Sequence, residues 1–201
     1  MFIQVVQGHV ENPTALKAAV ERWMEDLAPH ARGWLGSTSG VASDGTVIAL
    51  AMFESEAAAR AGGERPEQAA WRQQTRDLFT GEVRFHNCRD VMTMSLGESF
   101  HAGFVQVLQC RVTNPDRWQA VVAQSEEVLR RERPELLGTV IAIHDDDPSW
   151  ITEAVYFTSE YEARVGEQKA LLSPDARRVF QDMRADLTYI DLREPWLHFP
   201  R

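Results

Sequence analysis

The chain opens on FIQVVQGHV, a run rich in Val and Ile that predicts a strand over residues 2–10. Asn12-Pro13 follows, an N-cap with proline at the first helical position. Leu16, Ala19, Val20, Trp23 and Leu27 then recur at helical spacing and give a first helix one apolar face. Two apolar runs, 34–42 and 46–53, are joined by Ser43-Asp44-Gly45, a strong hairpin signal. Ser55 opens a second helical region and Gly62 interrupts it. A further helix is expected over 66–80 and a last strand over 82–92.

The same series returns in the second half. FIQVVQGHVENP (2–13) and FVQVLQCRVTNP (104–115) agree at 7 of 12 positions, at an offset of 102. Beyond the turn near Asp145–Pro148 the offset becomes 104. It then pairs Phe53 with Phe157, Ser55 with Ser159, Glu56 with Glu160, Gly62 with Gly166 and Arg89 with Arg193. Order is kept from end to end, so the chain is a duplication. The expected organisation is a first module over 1–95, a linker over 96–103 and a second module over 104–201. The second copy predicts strands over 136–143, 150–157 and 186–194, a capping box at Ser159 and Glu162 opening a helical region that Gly166 interrupts, and a helix over 174–186 opened by Ser173-Pro174.

Each copy reads β-α-β-β-α-β, the ferredoxin-like unit with a four-stranded antiparallel sheet and helices on one face. The fold class is therefore α+β. Val47-Ile48-Ala49-Leu50-Ala51-Met52-Phe53 does not alternate apolar and polar residues, so both faces of that strand should be covered. The expected cover is the sheet of the sister copy, packed face to face as a pseudo-dimeric α+β barrel. A single chain would build this as a monomer, or two chains as a homodimer.

The order of elements, together with the phrases FIQVVQGHVENP, AMFESEAAARA, AAWRQQTRDLFTGEVRFH, AVYFTSEYEARVG and DLTYIDLRE, resembles the antibiotic biosynthesis monooxygenase-like (ABM) domains of the dimeric α+β barrel superfamily. The resemblance implies a small hydrophobic aromatic ligand, polyketide- or quinol-like, bound between sheet and helices. It also implies oxidation without a cofactor as the candidate activity, with a non-catalytic binding or structural module as the alternative. The haem-degrading branch uses an Asn, a Trp and a His. These positions fall on Gln7 and Gln109, on Gly62 and Gly166, and near Arg72 and Ala176, so haem degradation is disfavoured.

Composition adds boundaries. The net charge is −9, shared as −4 over residues 1–100 and −5 over 101–201, with no basic cluster, which argues against nucleic acid or an anionic membrane as partner. The first residues carry no basic, apolar leader, and Val47–Phe53 is too short to span a bilayer, so a cytoplasmic protein is expected. Cys88 and Cys110 read as two reduced, packed thiols. No CxxC, HExxH, GxSxG or phosphate loop is present, and no cofactor or metal is expected. His144-Asp145-Asp146-Asp147 reads as a solvated turn.

The candidate site residues follow from strand phase. Gln7 lies with Ile3 and Val5, and Gln109 with Val105 and Val107, while Gln4 and Gln106 take the opposite face. Each glutamine is either a structural hydrogen bond or a ligand donor in a cavity between sheet and helices. Trp71 is core or the aromatic wall of that cavity. Tyr189 is the strand tyrosine expected to bring a hydroxyl inward. His86 and Glu153 are the candidate bases. Glu153 shares a face with Ile151, Val155 and Phe157, and its bland reading is pairing with Arg193 or Arg111, or a strand end open to water.

Overall fold

A computed structural model describes residues 1–172 and 184–200. The chain forms two compact units, Met1–Val91 with Glu194–Arg201, and Met92–Arg193. We call them modules one and two. In module one, β1 (Phe2–His9) leads to α1 (Pro13–Asp26), β2 (Trp34–Val41), β3 (Thr46–Phe53), α2 (Glu56–Gly63), α3 (Pro66–Arg76) and β4 (Arg84–Cys88). Module two begins with β5 (Asp90–Ser95) pairing into its sheet. It continues through β6 (Phe104–Val112), α4 (Pro115–Glu132), β7 (Leu136–Ile143), β8 (Trp150–Phe157), α5 (Glu160–Leu172) and β9 (Arg184–Leu192). The last strand, β10 (Trp196–His198), returns to the first sheet.

Both sheets are antiparallel and have five strands, ordered β10-β2-β3-β1-β4 and β5-β7-β8-β6-β9. The sequence pattern predicts four. The extra strand arises because the segment 82–92, expected as one strand, breaks at Arg89, and β5 then pairs in the other sheet. The second copy breaks at the repeat-related Arg193, after which β10 edges onto β2. Both arginines are clamps. Arg89 donates from Nε and Nη2 to the carboxylate of Glu56 at 2.8 and 3.0 Å, and Arg193 holds Glu160 at the same two distances. Each bidentate pair ties the strand end to the first turn of the helix after the hairpin, where an acid also suits the helix dipole.

The arginine hydrogen bonds hold the carboxyls of Glu56 and Glu160 below the usual carboxylate range. A depressed carboxyl stabilises the fold above its unfolded value, and that contribution is lost as pH falls through the folded value. Thermal midpoints should therefore drop below about pH 4.5. The double variant R89Q/R193Q should flatten that acid limb while leaving the slope near neutrality unchanged; an unaltered acid limb would refute the clamps.

Local signals in the sequence act as expected. The Asn12 and Asn114 side chains accept from the backbone N–H groups of Ala15 and Arg117 and start α1 and α4. Ser55 and Ser159 do the same for Ala58 and Glu162. One expectation fails: α5 runs unbroken through Gly166. The helix predicted over 174–186 falls mostly outside the described residues, and its last residues, 184–186, belong to β9. Apolar packing is repeated too. Leu16 meets Val10 and Val47 in module one. Trp118, at the repeat-related position, meets Cys110, Val112, Ile141 and Ile151 in module two. β6 is buried at seven consecutive positions, Phe104 to Cys110, so both of its faces are covered.

Candidate functional site

The α4 and α5 residues Trp118 and Ala163 pack against Cys110, Ile151, Phe104 and Phe157. These strand residues mark the helix-facing side of the second sheet. On that side Leu108 is flanked in register by Glu153 of β8 and Tyr189 of β9. Glu153 is 8% exposed. Its Oε1 accepts from Thr139 Oγ1 at 3.0 Å and its Oε2 from Arg184 Nη2 at 2.8 Å. The buried carboxylate is thus held by a buried guanidinium, and its partner is Arg184. Of the two partners considered from sequence, Arg193 holds Glu160, and Arg111 pairs with Asp147 at 3.1 Å and Asp186 at 3.5 Å.

A bulge brings Arg184 to this face. The β6–β9 register shifts between Gln109 and Arg111, so that Val112, not Thr113, lies opposite Arg184. A one-residue shift moves a side chain to the other face of the sheet. Asp186, within the shifted stretch, has φ +54°, a left-handed conformation that Asp tolerates better than most residues. Beside the pair lie Cys110, whose thiol burial pushes up to about 11, and Tyr189, whose hydroxyl is also pushed up by burial against an opposing pull from Arg184. Cys110 is accordingly an unreactive core thiol. Tyr189 is 56% exposed. It stands at the rim of the row and not inside it, contrary to the sequence expectation. Module one has Ala49, Phe85 and Gly8 where module two has Glu153, Tyr189 and Cys110, so the polar row exists in one copy only.

The glutamines fall on the other side. Gln109 pairs in register with Thr152 and Thr188, on the face turned away from Trp118 and Ala163. Its Nε2 donates to Thr152 Oγ1 at 3.2 Å, and the same hydroxyl lies 2.8 Å from His144 Nε2. Gln109, Thr152 and His144 are all buried. His144 is therefore a buried network member and not part of a solvated turn; the acidic residues after it turn toward solvent. Gln7 occupies the equivalent face of the first sheet, half-buried, in the row next to His86, which pairs with Val5. Gln4 and Gln106 face the helices and donate to Asn87 at 3.2 Å and Asp191 at 3.0 Å.

A pocket combining Gln7 with Trp71 is consequently ruled out by the sheet between them. Trp71 is in the helix layer, its Nε1 donating to Ala19 O at 3.0 Å and its ring 6.4 Å from that of Trp23. It braces α3 against α1. The two glycines also differ in effect. A Cβ at Gly62 would meet nothing within 4 Å, whereas one at Gly166 would collide with the Glu135 carboxylate and lie 2.7 Å from Arg133 Nε. The space at Gly166 is filled by the Arg133–Glu135 ion pair; the space at Gly62 is open.

No family model and no curated protein matches the sequence. Solved structures do. A proposed monooxygenase from Lactobacillus acidophilus NCFM superposes with TM-score 0.77 at 11% identity, over 98% of this chain and 95% of its own. One from Fusobacterium nucleatum subsp. nucleatum gives 0.77 at 11%, over 98% and 94%. An anthrone oxidase-like protein gives 0.69 at 10%, over 100% and 91%. The chain shares the overall fold of these three structures along nearly its whole length. At these identities the likeness fixes architecture and leaves the chemistry to the residues above. No helix of the described residues is long and apolar enough to cross a membrane.

Proposed function

We propose that the protein binds a small hydrophobic aromatic molecule, polyketide- or quinol-like, against the helix-facing row of module two, and oxidises it with dioxygen without a bound cofactor. One observation carries this reading: Glu153, Arg184 and Tyr189 lie together beside Leu108, Ile141 and Ile151 on the helix-facing side in one copy, and the other copy has Ala49 and Phe85 at the Glu153 and Tyr189 positions. An apolar surface with a few convergent polar groups is the usual makeup of a small-molecule site. In such a site Tyr189 at the rim donates to a ligand oxygen. Glu153 takes the proton of an acidic hydroxyl or ring CH, and Arg184 offsets the resulting oxyanion. An electron-rich carbanion or phenolate reacts with dioxygen directly, so the protein supplies orientation, dryness and the base.

The test is a thermal-shift screen with anthrone, hydroxyanthraquinones and quinols, followed by oxygen-electrode assays on any ligand found. A bound ligand at a hundred times its Kd should add about 2.7 kcal/mol of stability. Tyr189→Phe should weaken binding and leave the unliganded midpoint in place, because the residue is half-exposed. Glu153→Gln should abolish oxygen uptake. Absence of any ligand from the panel, or equal binding by Tyr189→Phe, would overturn the assignment. The non-catalytic alternative is supported by Gln109, whose amide is already satisfied inside the sheet; it predicts binding with no oxygen uptake above the uncatalysed rate.

A further inference from the structure

Module one holds a separate cavity of about 250 Å³, half-open to solvent, between α1 and the returning strand β10. Lys17, Val20 and Glu21 form its α1 side, and Pro195, Trp196, Leu197 and His198 its other side. Positions 17, 20 and 21 share one helix face by their spacing. β10 is fixed as the edge strand on β2, with Trp196 opposite Ser39 and His198 opposite Ser37, so the cavity wall is part of the sheet.

The lining has a particular chemistry. It offers one ammonium, one carboxylate, an indole and a valine, while the Leu197 side chain lies on the other face of β10. Lys17 Nζ and Glu21 Oε1 are 3.5 Å apart and both side chains are about half exposed. An exposed pair of this kind contributes only about 0.3–0.5 kcal/mol, so both charges remain available to a ligand. A ligand with a single charge would satisfy one member and strand the other. A zwitterion satisfies both. His198 adds a hydrogen-bonding ring: its Nδ1 is buried and has no hydrogen-bond partner among the described residues. Burial pushes the imidazole down from its ordinary value, so it acts as a neutral donor or acceptor. The volume is below the ~300–1,000 Å³ of pockets for drug-sized ligands, which suits a molecule of amino-acid size.

We propose that this cavity binds a free α-amino acid with an apolar or aromatic side chain. The α-carboxylate meets Lys17, the α-ammonium meets Glu21, and the side chain lies on Val20 and Trp196. The site is independent of the module-two row, so either assignment stands or falls alone.

Titration calorimetry on the full chain tests it with four probes: L-phenylalanine, L-leucine, 3-phenylpropionate and 2-phenylethylamine. The two amino acids should bind in the millimolar range or tighter. The probes lacking one charge should bind about two- to fivefold more weakly, the scale of one half-exposed charge contact. Lys17→Gln and Glu21→Gln, both at half-exposed helix positions that do not threaten folding, should each weaken L-phenylalanine by about two- to fivefold. Failure of both amino acids to bind at about 10 mM would overturn the proposal. So would equal binding of 3-phenylpropionate or 2-phenylethylamine, or unchanged affinity in both variants.

Discussion

Arg184→Met is expected to destabilise module two by about 3–5 kcal/mol, the largest loss from any single charge among the described residues, because it strands a buried carboxylate. Glu153 sits on a face lined by Leu108, Ile141 and Ile151, and among the described residues Arg184 supplies the opposite charge that meets it. After the substitution only the Thr139 hydroxyl remains, a neutral donor at 3.0 Å. A neutral hydroxyl does not replace the lost ion pair in a poorly solvated position. The double variant E153L/R184M removes both charges and should recover most of the loss, since an apolar pair of similar volume often equals or exceeds a buried ion pair. Native-state hydrogen exchange of the β6 and β8 amides reports the effect within module two itself. If the single variant exchanged like the wild type, the pair would be energetically idle, and the polar row would lose its claim to have been kept for chemistry.

That row was half legible in the sequence. Strand phase alone put Glu153 with Ile151, Val155 and Phe157, and the register bears that out. Phase could not name Arg184, because the bulge after Gln109 reverses which side of β9 faces the helices. Nor does phase say which face of a strand the helices cover. Gln7 and Gln109 were correctly set opposite Gln4 and Gln106, but the helices lie on the Gln4 and Gln106 side. One clue was in the sequence: Gly8, in phase with Gln4, leaves room for an aromatic ring, and Phe79 fills it, its Cδ1 2.6 Å from where a Cβ would stand. The repeat, the Asn and Ser caps and the Asp-Gly hairpin were legible because each is a local rule acting over a few residues. The exchange of edge strands was not. β10 is three residues long and has no periodicity to read, and the arginine that ends each preceding strand looks like any charged strand residue until its glutamate is found across the fold.

The duplication also supplies an internal control for packing, and it makes Trp118→Ala the second large effect. Trp118 is 1% exposed and lies at the centre of the cluster formed by Cys110, Val112, Ile141, Ile143 and Ile151. Truncating a buried tryptophan leaves a cavity that a β-sheet and a helix cannot close, and the expected cost is about 3–5 kcal/mol. The indole's worth here is volume, because its Nε1 is buried with no hydrogen-bond partner among the described residues. Trp118→Phe keeps most of the ring and removes an N–H whose burial without a partner costs about 1–3 kcal/mol, so it should be near neutral. Trp118→Leu should fall between the two, because Leu is the residue module one carries at the same place, where Leu16 packs on Val10 and Val47. Urea midpoints from the module-two amides should therefore rank Phe, then Leu, then Ala. Should Phe prove as damaging as Ala, the N–H has a partner in solution, and module two would owe this part of its core to hydrogen bonding and not to size.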